Sequence, residues 1–448
     1  MEEFFSKRPN MKKKYGFSGT FKDFAGDIAK SVPAKTKKAP HDDLIVEEAG
    51  RILSKEISSE ALENQITHCP IISYADHHGL LNYKLLYNSN ILYSEIIKEL
   101  QLPFVVVFST GNIPLINASY PRGFYFKRQK FNFFRKKQNN TPVFLLEDKL
   151  KAGRKEGIES FILNYSNEVL NAEEKKFLAC LFFDCLEIER TAQDYEQFSD
   201  QLTFLNFKLW KYYFDKSIRD AVPNIVYLQA NRLISTILMD ELKKTDSLIS
   251  SIILNPEARD VFLRNFYGIQ CCWGDNTGSH LFWGITEKKR LIRLCVDNSS
   301  NSLVGNDFCL ELKREPIIEA LLAKNIVHTS FFDLLIMTFL EGYMTLGGFN
   351  QIDYLPQMQQ AYLKSLREIG REDLLDQFTA AVTDGLICGM IPFAFDSGID
   401  LLWSYNSTDG KFNGNLDGGL TRDDLDKILN MPVKKLISSG IETMLEIV

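Results

Sequence analysis

The chain has 448 residues, of which 45% are hydrophobic and 25% are charged, and its formal net charge is -6 at pH 7. These are ordinary values for a globular protein, and the length allows one large core with insertions or two closely packed domains. The negative net charge gives no overall reason to bind nucleic acid or an anionic membrane, so a basic site would have to be local.

The sequence predicts a cytoplasmic protein with no secretion signal and no membrane span. Its N-terminus lacks the apolar core of a signal peptide, and its most apolar segments are short or are interrupted by Asp333 and Glu341. The eight cysteines show neither the density of a disulfide framework nor a paired CxxC zinc pattern. We therefore expect reduced thiols.

Four segments are predicted along the chain. Residues 1–42 carry many lysines and few large apolar residues, which favours a flexible basic arm over a docking tail. Residues 43–150 are predicted to begin an α/β core, residues 151–260 to form a helical insertion, and residues 261–448 to complete the core with a β-hairpin and C-terminal helices. The predicted fold class is α/β, with a Rossmann-like core sheet, a large helical insertion and a helical C-terminal part.

The first part of the core has the pattern of a βαβ unit. Residues 70–74 form a short apolar run typical of a strand, and residues 88–100 have the spacing of an amphipathic helix. Residues 104–108 are β-branched or aromatic and fit a buried parallel strand. Residues 109–112 follow directly at its carboxyl end, where open α/β sheets usually bind ligands.

Further along the chain, helical patterns alternate with one clear hairpin. Residues 173–190 and 195–217 have helical spacing, whereas residues 280–297 contain two apolar runs around a polar turn and predict a β-hairpin. Residues 315–324 and 330–341 predict apolar helices. A closing helix is expected to begin at Thr421, because Asp423 and Asp424 follow in what would be its first turn.

The densest polar cluster is Asp76-His77-His78, next to Asn82. These side chains could bind a metal, transfer protons, contact substrate or phosphate, or form an ordinary loop. Adjacent histidines on an extended chain point to opposite sides, so a shared metal would require a sharp turn at Gly79. A zinc site would need another ligand, for which the candidates are His68, Cys69, His280 and His328.

A second polar cluster follows the predicted strand at 104–108. Thr110, Gly111 and Asn112 offer a hydroxyl, a close-approach backbone and an amide, and Asn117 adds another amide. Arg122 is the cation best placed for a carboxylate or phosphate, since its guanidinium group can make two-point contacts. No standard nucleotide-binding fingerprint is present, so a nucleotide is possible but unspecified as a cofactor. The alternative is that the glycines and prolines here only form turns.

Residues 122–137 mix basic and aromatic side chains without an acidic one. Such a run could bind single-stranded nucleic acid by stacking and phosphate contacts. The same alternation is typical of a half-buried strand followed by a solvated loop. We therefore expect no nucleic-acid partner.

The last cluster, residues 345–354, contains Gly347, Gly348, Gln351 and Tyr354. Two glycines permit close backbone approach, and Gln351 and Tyr354 lie one turn apart if a helix begins there. Together with residues 67–128, this stretch resembles the BshC family, the cysteine-adding enzymes of bacillithiol biosynthesis. Family members carry Thr-Gly-Gln-Gln-x-Gly-Leu near the start and Gly-Gly-Pro-x-Glu-Ile-x-Tyr later. The corresponding segments here are residues 74–80 and 347–354.

The resemblance implies a related fold with a small-molecule pocket, in which the two motifs meet at the carboxyl edge of one sheet. The leading hypothesis is a bacterial-type, ligase-like enzyme that joins an amine or amino acid to an acidic or sugar-like acceptor. His77 or His78 would act as general acid or base beside Asp76. Arg122 would anchor an anionic group, and residues 110–112 would contact substrate or nucleotide phosphate.

Two other functions stay open at this point. One is a non-catalytic binding or effector protein that uses its basic patch. The other is a metal-dependent hydrolase built on Asp76, His77 and His78, although no metal is assigned from the sequence. The partner expected from the leading hypothesis is a small-molecule substrate, and the oligomeric state is open.

Alanine substitution at His77, His78 and Arg122 is expected to remove turnover while leaving the melting temperature nearly unchanged. Activity assays and thermal melts of the three variants check this expectation. Full activity in all three would contradict the assignment.

Overall fold

The computed structural model describes residues 2–33, 35, 38–74, 76–114, 123–132, 141–146 and 170–447. Within these residues the α-helices are α1 (Glu2–Ser6), α2 (Pro9–Tyr15), α3 (Phe21–Ser31), α4 (Asp42–Leu53), α5 (Ser59–His68), α6 (Lys84–Glu99), α7 (Ala172–Ala179), α8 (Ile188–Asp194), α9 (Phe198–Tyr212), α10 (Ala230–Lys243), α11 (Leu248–Leu254), α12 (Pro256–Asn265), α13 (Arg314–Leu322), α14 (Ser330–Leu334), α15 (Gln351–Glu368), α16 (Leu375–Ala380), α17 (Gly398–Asn406), α18 (Arg422–Leu429) and α19 (Val433–Ile447). Short π-helical segments are Cys180–Cys185 and Leu335–Leu340.

The strands of the described residues are β1 (Ile71–Ser73), β2 (Phe104–Ser109), β3 (Gly123–Phe126), β4 (Gln129–Asn132), β5 (Asn224–Gln229), β6 (Phe282–Ile285), β7 (Leu291–Arg293), β8 (Cys295–Asp297), β9 (Ser302–Gly305), β10 (Phe308–Glu311), β11 (Ile326–His328), β12 (Met344–Leu346), β13 (Ser407–Thr408) and β14 (Lys411–Phe412).

Four of these strands form a parallel sheet in the order β12–β1–β2–β5. The longest pairing joins β2 and β5, from Phe104 opposite Asn224 to Ser109 opposite Gln229. Every residue of β2 is buried. Its side chains alternate between two apolar clusters on the two faces of the sheet, which explains why its sequence is a continuous apolar run.

The predicted βαβ unit is confirmed. The runs at 70–74 and 104–108 are the parallel strands β1 and β2, and α6 lies between them in the chain. Sequence analysis missed β5, which lies inside the segment predicted to be a helical insertion. That segment therefore contributes a strand to the central sheet. The mixed α/β class is confirmed, while the Rossmann-like description of the sheet and the insertion stay predictions.

The segment predicted to be a flexible basic arm, residues 1–42, is helical over much of its described part. It contains α1, α2 and α3, and the side chains of Met11 and Phe21 are fully buried in the main core. Thr20 caps α3 through a capping box with Asp23, and the backbone N–H of Phe21 donates to Met431 O at 2.8 Å. The lysines lie between apolar residues at helical spacing, so one face of this basic segment packs inward.

The predicted hairpin and the closing helix are confirmed. Strands β6 and β7 are antiparallel, with Trp283 opposite Arg293, while β8 continues into a second small sheet with β9 and β10. Thr421 caps α18, and Asp424 completes its capping box. All eight cysteines are free thiols, as expected. Among the described residues, every helix is too short or too polar to cross a bilayer.

Substituting Phe21 with alanine tests whether the N-terminal segment is part of the folded body. Because Phe21 is fully buried, its truncation is expected to lower the free energy of unfolding by about 3–5 kcal/mol. Urea denaturation of Phe21→Ala against wild type measures this difference. The neighbouring exposed residue supplies the control, Lys22→Ala, which should stay within about 0.5 kcal/mol of wild type. Equal stability of the two variants would contradict the packed arrangement.

Candidate functional site

The strand order reverses between β1 and β12. From β1 the chain proceeds outward through β2 to β5, and it later returns to place β12 on the other side of β1. At such a reversal the connections after neighbouring strands lead in opposite directions, which opens a crevice at the carboxyl edge of the sheet. Asp76 follows β1 and Gly347 follows β12, so both lie at this position.

Backbone hydrogen bonds bring three of the predicted polar segments together at this edge. Thr110 N–H donates to Asp76 O at 3.0 Å, and His78 N–H donates to Thr110 O at 3.1 Å. On the other side of β1, Tyr74 N–H donates to Leu346 O at 2.8 Å. The described backbone of the two motifs therefore lies on neighbouring strands at the carboxyl edge of the sheet.

The double glycine allows close packing after β12. A Cβ atom on Gly347 would lie 2.1 Å from Cδ of Gln351, so this side chain can fold back over the strand only because residue 347 is glycine. Gln351 Nε2 donates to Thr345 O at 3.3 Å. The carbonyl of Gly347 accepts from Cys388 N–H at 3.0 Å. Gln351 therefore supports the β12 turn.

Asp76 lies at the strand reversal, and its charge acts on the thiol of Cys388. Asp76 is 1% exposed, and Tyr227 of β5 donates its hydroxyl to Asp76 Oδ2 at 2.9 Å. Burial raises the pKa of the Cys388 thiol to about 12, and the nearby Asp76 carboxylate acts in the same direction, against a hydrogen bond with Ser89. Cys388 is therefore a neutral thiol at ordinary pH. Sequence analysis missed it, because no spacing links residue 388 to residue 76.

The two histidines have different environments. His77 is partly exposed and its backbone pairs with Thr110. His78 is 2% exposed, with Nδ1 lying 2.5 Å from Ser109 Oγ and Nε2 donating to Ser199 O at 2.7 Å. Burial lowers the pKa of His78 to about 4. Because both of its ring nitrogens contact protein atoms, His78 forms part of the interior.

Asn112 and Gly111 lie where β2 ends but contact neighbouring elements. Asn112 Nδ2 donates to the carbonyl of His328 in β11 at 3.1 Å, and the residue is 8% exposed. A Cβ atom on Gly111 would lie 2.7 Å from Oδ1 of Asn231 in α10. Thr110 is likewise nearly buried. Ligand contact in this segment would therefore come mainly from backbone groups.

Asn82 and Tyr354 contact other parts of the molecule than the residues around Asp76 and Thr110. Asn82 accepts from Ile399 N–H at 2.8 Å and donates to Tyr125 O at 2.9 Å, so its amide joins α17 to β3. Tyr354 belongs to the core on the other face of the sheet. Burial raises the pKa of Tyr354 well above its ordinary value, helped by the neighbouring Cys271. The Cys271–Cys272 pair, expected to be buried, has Cys271 exposed.

Sequence analysis did not predict a buried polar cluster of His328, Asp333 and Tyr74 near the carboxyl end of β1. His328 Nδ1 is 2.7 Å from Asp333 Oδ1, and both side chains have no exposed surface. Tyr74, at the end of β1, donates its hydroxyl to Asp333 Oδ2 at 2.8 Å. The only sequence signal was an acidic residue inside the apolar stretch at 330–341.

Two of the predicted substrate-binding residues, Asn117 and Arg122, lie outside the described residues, as does the end of the basic run. In its described part, Lys127 forms an ion pair with Glu174, and Arg128 Nε lies 3.0 Å from Asp396 Oδ2. These ion pairs reduce the positive charge that this region offers to a polyanion.

Comparisons with protein-family models, curated proteins and solved structures give no match for this chain. The resemblance to the BshC family therefore stays a prediction from short motifs.

The buried His78 is expected to make the protein less stable in acid. Its folded pKa of about 4 lies below the ordinary value of 6.5, so its contribution is complete above pH 6.5 and is lost as pH falls through about 4. A shift of this size corresponds to about 3 kcal/mol. Urea denaturation at pH 7, 5.5 and 4.5 should show this loss, and His78→Gln should flatten the slope because the titrating ring is gone.

The exposed histidine His68 supplies the control for this experiment. His68→Gln should keep the wild-type slope, whereas His280, whose pKa burial also lowers to about 4, leaves some slope in His78→Gln. Identical slopes in wild type and His78→Gln would contradict the buried, neutral state of His78. His78→Ala is now expected to lower the melting temperature, since it removes two buried hydrogen bonds.

Proposed function

We propose that this protein is a ligase-like enzyme of small-molecule metabolism, with its substrate bound in the crevice between the carboxyl ends of β1 and β12. The observation that carries the proposal is the convergence of Asp76, His77 and the Gly347–Gly348 turn where the strand order reverses. Open parallel sheets bind ligands at this position. The reaction is the joining of an amine or amino acid to an acidic or sugar-like acceptor.

Each group in the crevice has a role suited to its chemistry. The carboxylate of Asp76 complements the ammonium group of an amine substrate, and its bond from Tyr227 fixes its orientation. His77 is assigned the proton transfer, because an imidazole can act as general acid or general base. The Gly347–Gly348 backbone permits close approach of the substrate. Arg122 is assigned the acidic part of the acceptor, and a nucleotide is a possible co-substrate.

The two other functions have less support. An effector that binds polyanions would need unpaired cations, yet Lys127 and Arg128 face acidic partners. A hydrolase that uses Asp76, His77 and His78 as metal ligands would need an available His78 ring, whose two nitrogens already contact protein atoms.

A thermal-shift screen against amino acids, sugar acids and nucleotides tests the proposal. A ligand that binds only the folded protein at one hundred times its Kd adds about 2.7 kcal/mol to stability. We expect an amino acid or a sugar acid to raise the melting temperature of wild type. The same ligand should give a smaller shift in His77→Ala and Asp76→Asn, and the full wild-type shift in the control His68→Ala.

The ligand-induced shift is compared within each variant, so a change in basal stability does not obscure the result. An equal shift in all four proteins would place binding elsewhere and contradict the site. Stabilisation by polyanions alone, lost between low and moderate salt, would favour the effector function instead.

A further inference from the structure

His41, Asp240 and Glu241 form a cluster of metal-ligating side-chain types, and none of the three belongs to the crevice residues. Among the described residues, their ligand-type atoms all lie within 4.8 Å of one another. His41 precedes α4, and the two acids lie near the end of α10. His41 is 5% exposed, whereas 42% of the Asp240 side chain is open to solvent. The cluster therefore combines a fixed imidazole with access from outside.

Glu341 fixes the orientation of the His41 ring. One carboxylate oxygen, Oε1, lies 2.7 Å from Nδ1 of the ring, and the other accepts the backbone N–H of His41 at 3.2 Å. Glu341 is 2% exposed, so this contact is shielded from water. A carboxylate on Nδ1 is the usual outer partner of a metal-binding histidine, because it selects the tautomer that presents Nε2.

The Nε2 atom of His41 points at the two acids without a well-aligned hydrogen bond. It is buried and has no partner of good hydrogen-bond geometry among the described residues. It nevertheless lies 3.2 Å from Glu241 Oε1 and 3.6 Å from Asp240 Oδ2. Ligand atoms around a tetrahedral zinc ion with bonds of about 2.0–2.1 Å are separated by about 3.3 Å. The observed separations match that spacing.

We propose that His41 Nε2, Asp240 Oδ2 and Glu241 Oε1 bind one divalent metal ion of the zinc class. Binding forms three metal–ligand bonds, and His41 binds through the lone pair of an unprotonated Nε2. Ser247 donates to Glu241 Oε2 at 2.5 Å, which leaves Oε1 directed at the metal position. Three protein ligands leave the fourth position to water, which can reach the site beside Asp240.

Lys244 occupies the space beside the carboxylates when no metal is bound. Its Nζ lies 2.7 Å from Glu241 Oε1 and 3.2 Å from Asp240 Oδ2, and 43% of its side chain is exposed. Because this side chain is partly exposed, it can turn away from the two carboxylates into solvent.

The proposed metal would join three parts of the chain. His41 belongs to the segment that leads into α4, the acids belong to α10, and Glu341 lies just before β12. The bound ion would stabilise this contact between the N-terminal segment and the central sheet. This site is independent of the crevice and of the proposed ligase function.

Zinc titration of full-length protein without an affinity tag, after treatment with EDTA, tests the proposal. We expect one equivalent of Zn²⁺ to bind and to raise the melting temperature, with EDTA reversing both effects. His41→Gln and Asp240→Asn should lose this equivalent, and His68→Gln should retain it. Because Asp240 is partly exposed, Asp240→Asn keeps the test valid even if His41→Gln fails to fold.

Two further measurements separate this site from binding by cysteine thiols. Co²⁺ bound at the site should lack a thiolate charge-transfer band, because all three ligands are nitrogen or oxygen. Glu341→Gln should weaken zinc binding about 10–100-fold, the usual effect of removing an outer partner of a histidine ligand. The absence of a zinc equivalent in wild type, or an equivalent unchanged in His41→Gln and Asp240→Asn, would overturn the proposal and leave an ion-pair cluster only.

Discussion

The backbone groups of β2 have no contact with water, because every residue of this strand is buried. Its N–H and C=O groups must therefore be paired on both sides, and β1 and β5 supply the partners. Parallel pairing makes the strands end at one edge, and both faces of the sheet are covered by apolar clusters. The position of the candidate site follows from this arrangement, since the segments that follow β1, β2, β5 and β12 all leave the sheet at that edge.

The polar residues at the carboxyl edge divide into two groups. One group forms hydrogen bonds with other buried polar groups. His78 bridges Ser109 and Ser199, and Asn112 donates to the carbonyl of His328. Loops that descend into a protein need such contacts, because an unpaired buried polar group costs about 1–3 kcal/mol. Asp76 is also buried and accepts from Tyr227, whereas His77 is partly exposed at the carboxyl edge.

The N-terminal segment is tied to the molecule by both apolar and charged contacts. Phe21 and Met11 enter the main core, while Lys35 and Asp42 form a buried ion pair 2.5 Å apart. His41 continues this contact through Glu341 to the residues before β12. The segment thus shares its buried partners with the central sheet, while Lys12, Lys13, Lys22 and Lys30 lie on the exposed faces of α2 and α3.

Local sequence determined the elements whose pattern repeats over neighbouring residues. The runs that form β1, β2, the β6–β7 hairpin and the Thr421 cap could be predicted, because burial and capping leave a signal at fixed short spacing. The same reasoning located Asp76, His77 and the double glycine, and the resemblance implied that they meet. It missed β5, since six residues between long helices give little periodicity.

Only the tertiary structure decided which of these residues are partly exposed and which form hydrogen bonds in the interior. Two adjacent histidines differ because one reaches Ser109 and Ser199, and Ser199 is 121 positions away in the chain. Glu341 reaches His41 across a separation of 300 positions. Such contacts depend on how distant segments pack, and no spacing in the sequence encodes them. The sequence thus determined which strands and caps form, while packing determined which side chains are available for chemistry.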